Sequence, residues 1–150
     1  MTIQASGVLM YNGKEYLFRS YPLEVYFKLG GRRVPFMADT TACRRGYVGT
    51  WAIDNGELRL IDIYGHIAEE PTKDIASRAF KYHIDYDDPK LCRRATVDAI
   101  FPDHDGPIFA HWYSAPIEAI DSASRSVKLL AEVKRGRVVS LKTEPVGDQA

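Results

Sequence analysis

Thr41 to Ile63 reads TACRRGYVGTWAIDNGELRLIDI, and the fold class follows from how this stretch is parsed. From Gly46 to Ile53 aromatic and β-branched residues alternate with smaller ones, the pattern of a strand. Strand side chains point to opposite faces in turn, so Tyr47, Gly49, Trp51 and Ile53 share one face while Val48, Thr50 and Ala52 share the other. Asp54-Asn55-Gly56 supplies a tight connection, because Asn and Gly tolerate positive φ. Glu57 to Ile63 then returns as the second strand of a hairpin.

The same signals recur on either side. Val8–Tyr11 and Glu15–Arg19 flank Asn12-Gly13, a second hairpin signature. Leu23 to Phe27 reads as a short strand after Pro22, and Val34 to Met37 as another. Thr72 is placed to cap a short helix through Ile75 and Ala79, and Phe80 to Tyr86 alternates strictly, as a half-buried strand would. Thr96 to Phe101 reads as one helical turn closed by Pro102. Ile108 to Ile120 forms a strand or two bent at Pro116, and Val127–Lys134 pairs with Arg137–Lys142 around Arg135-Gly136. Glu144 to Ala150 has nothing to bury and predicts a flexible tail. Eight or nine short strands predict a mainly β fold, an antiparallel meander closed as a barrel or stacked as a sandwich, with one or two short helices. At 150 residues, without a linker or internal repeat, residues 1–143 are expected to form a single β-rich domain, with 144–150 as the tail.

Composition narrows the function classes. Twenty basic residues balance twenty acidic ones, so no net charge draws the chain to nucleic acid or an anionic membrane. The two cysteines, Cys43 and Cys92, lack metal-type spacing and predict reduced thiols. Neither a signal-like segment nor a long apolar run is present, so the expected location is cytoplasmic.

Two motifs carry a resemblance. Arg45-Gly46-Tyr47 leading through Trp51 to Leu58-Arg59-Leu60, and Phe101-Pro102 followed by Ala110-His111-Trp112-Tyr113-Ser114, resemble a family of small bacterial proteins with no established activity. Pro22-Leu23-Glu24 with Tyr26-Phe27 fits the same pattern. Ala68 to Arg94 is longer than that family requires, and Ala115-Pro116 replaces its usual glycine. The resemblance implies a stand-alone bacterial domain and transfers no catalytic residue.

The residues that invite chemistry also have plain structural roles. His104 between Asp103 and Asp105, with His111 and the His83-x-Asp85-x-Asp87 run, offers oxygen and imidazole ligands, but no H-x-H or H-E-x-x-H spacing supports a metal. Arg44 and Arg45 would favour a Cys43 thiolate, yet no Cys-His signature or G-x-S-x-G elbow accompanies it. The pairs Arg32-Arg33, Arg44-Arg45 and Arg93-Arg94, with Arg135 and Arg137, suggest single-stranded nucleic acid among so many tyrosines, against which the zero net charge stands. Arg45, Tyr47, Trp51, His111 and Trp112 are the expected ligand- or partner-binding residues, since Arg and the aromatics combine large area with directed donors. The expectation is therefore a binding or structural module for a protein or small molecule, without catalysis, metal or cofactor. It acts alone or as a homodimer joined at an exposed strand edge. A hydrolase using His104 or His111 with a neighbouring carboxylate is the alternative, and single-stranded nucleic-acid binding the second.

Overall fold

A computed structural model describes residues 6–32, 34, 36, 47–68 and 92–147. Contacts divide the chain into two compact units. The larger comprises Ser6–Gly31, Thr50–Ile61 and Asp105–Ala150, and the smaller Met1–Ala5, Arg32–Gly49 and Asp62–His104. The expected helix after Thr72 and strand Phe80–Tyr86 lie outside the described residues.

The strands are β1 Gly7–Tyr11, β2 Lys14–Phe18, β3 Tyr47–Asp54, β4 Glu57–Ala68, β5 Cys92–Arg94, β6 Ile108–Phe109, β7 Ala115–Asp121, β8 Val127–Lys134 and β9 Arg137–Pro145. Seven of them close a barrel in the order β3-β1-β2-β7-β8-β9-β4, with β4 also pairing β3. The three two-residue hairpin turns carry positive φ at the Asn-Gly and Arg-Gly pairs of the sequence: Asn12-Gly13, Asn55-Gly56 and Arg135-Gly136. The register is antiparallel except between β1 and β3, where Leu9 lies beside Trp51 in a parallel pair. Of the two closures open to such a strand set, the protein takes the barrel rather than the sandwich.

In the larger unit the inward row holds Leu9, Phe18, Trp51, Leu58, Leu60, Ile117, Leu129 and Val133, all at most 2% exposed. Burying such side chains is the main favourable term in folding, about 1.5–3 kcal/mol each. Trp51 meets Phe18 edge-on at 6.3 Å between ring centroids. In the smaller unit Tyr47 packs on Phe36 at 5.0 Å, and Phe36 bridges to Ile67. The alternation read for β3 is therefore right, since Tyr47, Gly49, Trp51 and Ile53 are all buried.

Three local readings are corrected. Pro22–Lys28 is a helix, α1, not a strand. Proline at the first helical position presets φ and loses no helical hydrogen bond, and Pro22 and Leu23 are the residues this helix buries. Pro116 lies inside β7 and does not break it. It pairs with Glu132 of β8, outside the stretch where β7 also pairs with β2, so its missing N–H interrupts no ladder there. β9 reaches Pro145, two residues into the expected tail, because Lys128 and Val127 of β8 supply partners for Glu144 and Pro145. The expected helical turn is present as a 3₁₀ turn over Val97–Ala99, although the Thr96 side chain makes no capping bond.

No helix among the described residues is long and apolar enough to cross a membrane.

Candidate functional site

The barrel closes at a narrow point. β4 begins at Glu57, immediately after its turn, and β9 begins at Arg137, immediately after its own; these two residues are the whole of the β4–β9 register. Beside them Leu58 N–H donates to the Gly136 carbonyl and Val138 N–H to the Gly56 carbonyl, both at 2.8 Å. Side chains reinforce the joint. Glu57 pairs with Arg59 and, at 3.4 Å, with Arg137. The two guanidiniums lie 5.6 and 5.4 Å from the centre of the Phe109 ring, within cation–π range.

Past this joint the chain beside β9 has turned away into β3, and β9 continues to Pro145 with β8 on one side only among the described residues. Which backbone groups it leaves open follows from parity. Val146 N–H donates to the Ser126 carbonyl at 2.9 Å, making 126 and 146 a hydrogen-bonded pair. In an antiparallel ladder such pairs alternate with pairs whose amides point away. Hence Glu144, Lys142 and Ser140 bond to β8, while the N–H and C=O of Leu141 and Thr143 point to the open edge. Pro145 follows in the same phase and has no N–H, so it ends the row of donors. Val139 is the extra residue at the bulge opposite Glu132/Val133, and it is 57% exposed.

Hollows lie on both faces of this strand. A groove of about 340 Å³ is lined by Tyr11, Asn12, Lys14, Tyr16, Leu141, Lys142 and Thr143. A larger, open hollow of about 730 Å³ runs over β7, β8 and β9 between Pro116, Leu130, Glu132 and Lys142. Tyr16, at the floor of the smaller groove, holds its phenol proton to higher pH than usual, first through burial and then through the nearby Asp121 carboxylate and Tyr11.

No family model, curated protein or solved structure matches the chain. The resemblance to the small bacterial family thus rests on its motifs alone.

The residues expected to form a binding surface are dispersed. Arg45 lies outside the described residues, as do Cys43, His83, Asp85 and Asp87. Tyr47 and Trp51 are core residues, 3% and 2% exposed. His111 and Trp112 adjoin, with ring centroids 5.5 Å apart, and Trp112 is bound to structure. Its Nε1–H donates to the Pro22 carbonyl at 2.8 Å and its ring lies 4.8 Å from Tyr26, fastening α1 to the β6–β7 loop. His104 Nε2 lies 2.7 Å from Asp98 Oδ1. With His104 N–H also donating to the Phe101 carbonyl, this pair braces the turn that follows the 3₁₀ segment. Among the described residues no three His, Cys, Asp or Glu side chains gather as a metal-ligand group. Arg94 of the smaller unit lies over the Tyr64 ring at 4.8 Å and beside Asp62 at 3.9 Å.

Leu141, Thr143, Tyr11 and Lys14 are not among the residues that sequence reasoning singles out. The usable signal is Pro145 closing a long, sparsely apolar last strand, since proline at that place is typical of an edge.

Proposed function

We propose that this protein is a recognition module that binds an extended segment of a protein partner by adding it as a strand to the open edge of β9. The observation that carries the reading is the one-pair β4–β9 register, which leaves the Leu141 and Thr143 amides and carbonyls facing outward. Main-chain hydrogen bonds to such an edge supply affinity, and hollows on either face receive alternate side chains of the guest, which supplies specificity. Catalysis is not part of the proposal: the His104–Asp98 pair is accounted for by its place in the turn. A cytoplasmic setting belongs to it, on the strength of only two cysteines, and cell fractionation tests that element.

The test is selection from a random ten-residue peptide library displayed on phage, run in parallel on the wild type and on Leu141→Pro. Proline removes an outward-facing N–H and breaks no bond to β8, and Thr143→Pro is the second variant in case the first does not fold. Circular dichroism verifies both. Enrichment on the wild type that disappears on a folded proline variant supports strand addition. Equal recovery on wild type and variant, or none on either, refutes it.

A further inference from the structure

We infer that the guest strand is acidic, carrying an aspartate or glutamate that enters the groove at Lys14; this rests on the strand-addition reading above. Leu141 and Thr143 share the inner face of β9, since Leu141 stands opposite the buried Ala131 and Thr143 opposite the buried Leu129. A strand added beside them points the residues opposite Leu141 and Thr143 to that same face. Those guest residues enter the 340 Å³ groove.

The lining of that groove selects a charge. Lys14 opens β2 in the same phase as the buried Tyr16 and Phe18, so it belongs to the inner row at the mouth of the barrel. Among the described residues no carboxylate lines the groove; the other lining groups are the tyrosines Tyr11 and Tyr16, Asn12, Thr143 and the Leu141 side chain. The second lysine of the lining, Lys142, has the opposite phase along β9 to Leu141 and Thr143 and is engaged by Glu144 at 3.3 Å. Lys14 has no ion pair among the described residues, so a carboxylate arriving there meets a cation without an existing partner and hydroxyl and amide donors around it. A basic guest residue would instead bring a second cation to Lys14, and the Asp121 carboxylate beside Tyr16 already accepts from the Ala123 and Ser124 N–H groups.

Sequencing the clones recovered in the same selection decides the matter. The expected result is Asp or Glu concentrated at one position, flanked by β-forming residues. For a synthetic peptide of the enriched sequence, replacing that acid by its amide is expected to weaken binding about three- to tenfold by fluorescence anisotropy. The effect should shrink as salt rises. Selection on Lys14→Glu should move the preference to Lys or Arg. Clones that depend on the edge but show no acidic position, or the same position on Lys14→Glu, overturn this inference and leave strand addition standing. Clones that ignore Leu141→Pro overturn both. Sedimentation of the free protein supplies the remaining outcome: a dimer that Leu141→Pro dissolves makes a second copy the occupant and overturns the acidic guest.

Discussion

Gly136 sits where the barrel closes, and replacing it with alanine tests how tight that joint is. Two costs add. The backbone φ of +80° suits glycine, and an L side chain there costs about 1 kcal/mol. In addition, a Cβ at this position would lie 2.6 Å from the Ala110 carbonyl oxygen and 2.7 Å from a Phe109 ring carbon, so the backbone must move. Movement disturbs two hydrogen bonds of 2.8 Å, from Gly136 N–H to the Tyr113 carbonyl and from Leu58 N–H to the Gly136 carbonyl. At about 1 kcal/mol net each, they bring the loss to about 3 kcal/mol. Gly56 is the internal control. Its φ is +71° and a Cβ added there would meet nothing within 4 Å, so Gly56→Ala is expected to cost the conformational part alone, about 1 kcal/mol. Urea unfolding followed by far-ultraviolet circular dichroism should separate the two variants by roughly 1 M in midpoint, taking about 2 kcal/mol per M for the slope. If the two midpoints coincide, the close approach of Gly136 to the Phe109–Ala110 segment is not what demands glycine, and the account of closure fails.

Trp112→Phe keeps an aromatic ring against Tyr26 but loses the bond to the Pro22 carbonyl. It should cost about 1–2 kcal/mol in urea unfolding and speed amide exchange in α1 before that in β7 and β8; uniform acceleration would contradict the fastening role. Asp121 is 8% exposed and its Oδ1 accepts from the N–H groups of Ala123 and Ser124, so Asp121→Ala should lose about 1.5–3 kcal/mol and Asp121→Asn distinctly less; equal losses would discount the turn bonds. Burial raises the phenol pKa of Tyr16 and of Tyr113 above 10, in Tyr113 against the lowering effect of its Ser20 hydrogen bond. A folded-state pKa above the unfolded one means this contribution is complete below pH 10 and is lost as pH climbs through the raised values. Spectrophotometric titration should therefore find two tyrosines ionising late, with stability falling over the same range. Tyr16→Phe should remove one late ionisation.

Local chemistry was legible and long-range placement was not. Asn12-Gly13, Asn55-Gly56 and Arg135-Gly136 demand positive φ, and each formed its turn because that preference is settled within a few residues. The alternation from Tyr47 to Ile53 likewise named the buried face correctly. Leu23 to Phe27 misled because a five-residue apolar run has no decisive period; Pro22 at the helix start was the better sign. Among the expected site residues, Tyr47 and Trp51 have the composition of a recognition surface and of a core alike, and only their neighbours Phe36 and Phe18 decide between the two.

The sequence by itself determined a mainly β chain, three of its hairpins, the face that β3 buries and a balanced charge. Those properties depend on dihedral preference and on a period of two. Only the tertiary structure decided that the strands close as a barrel and that Trp112 binds a carbonyl 90 residues away. It alone decided that β4 meets β9 at a single pair, so that past this pair β9 has no second neighbour strand among the described residues, near Lys14. An open edge is defined by what does not lie next to a strand, and no local pattern within β9 can encode the position of a turn some 80 residues earlier.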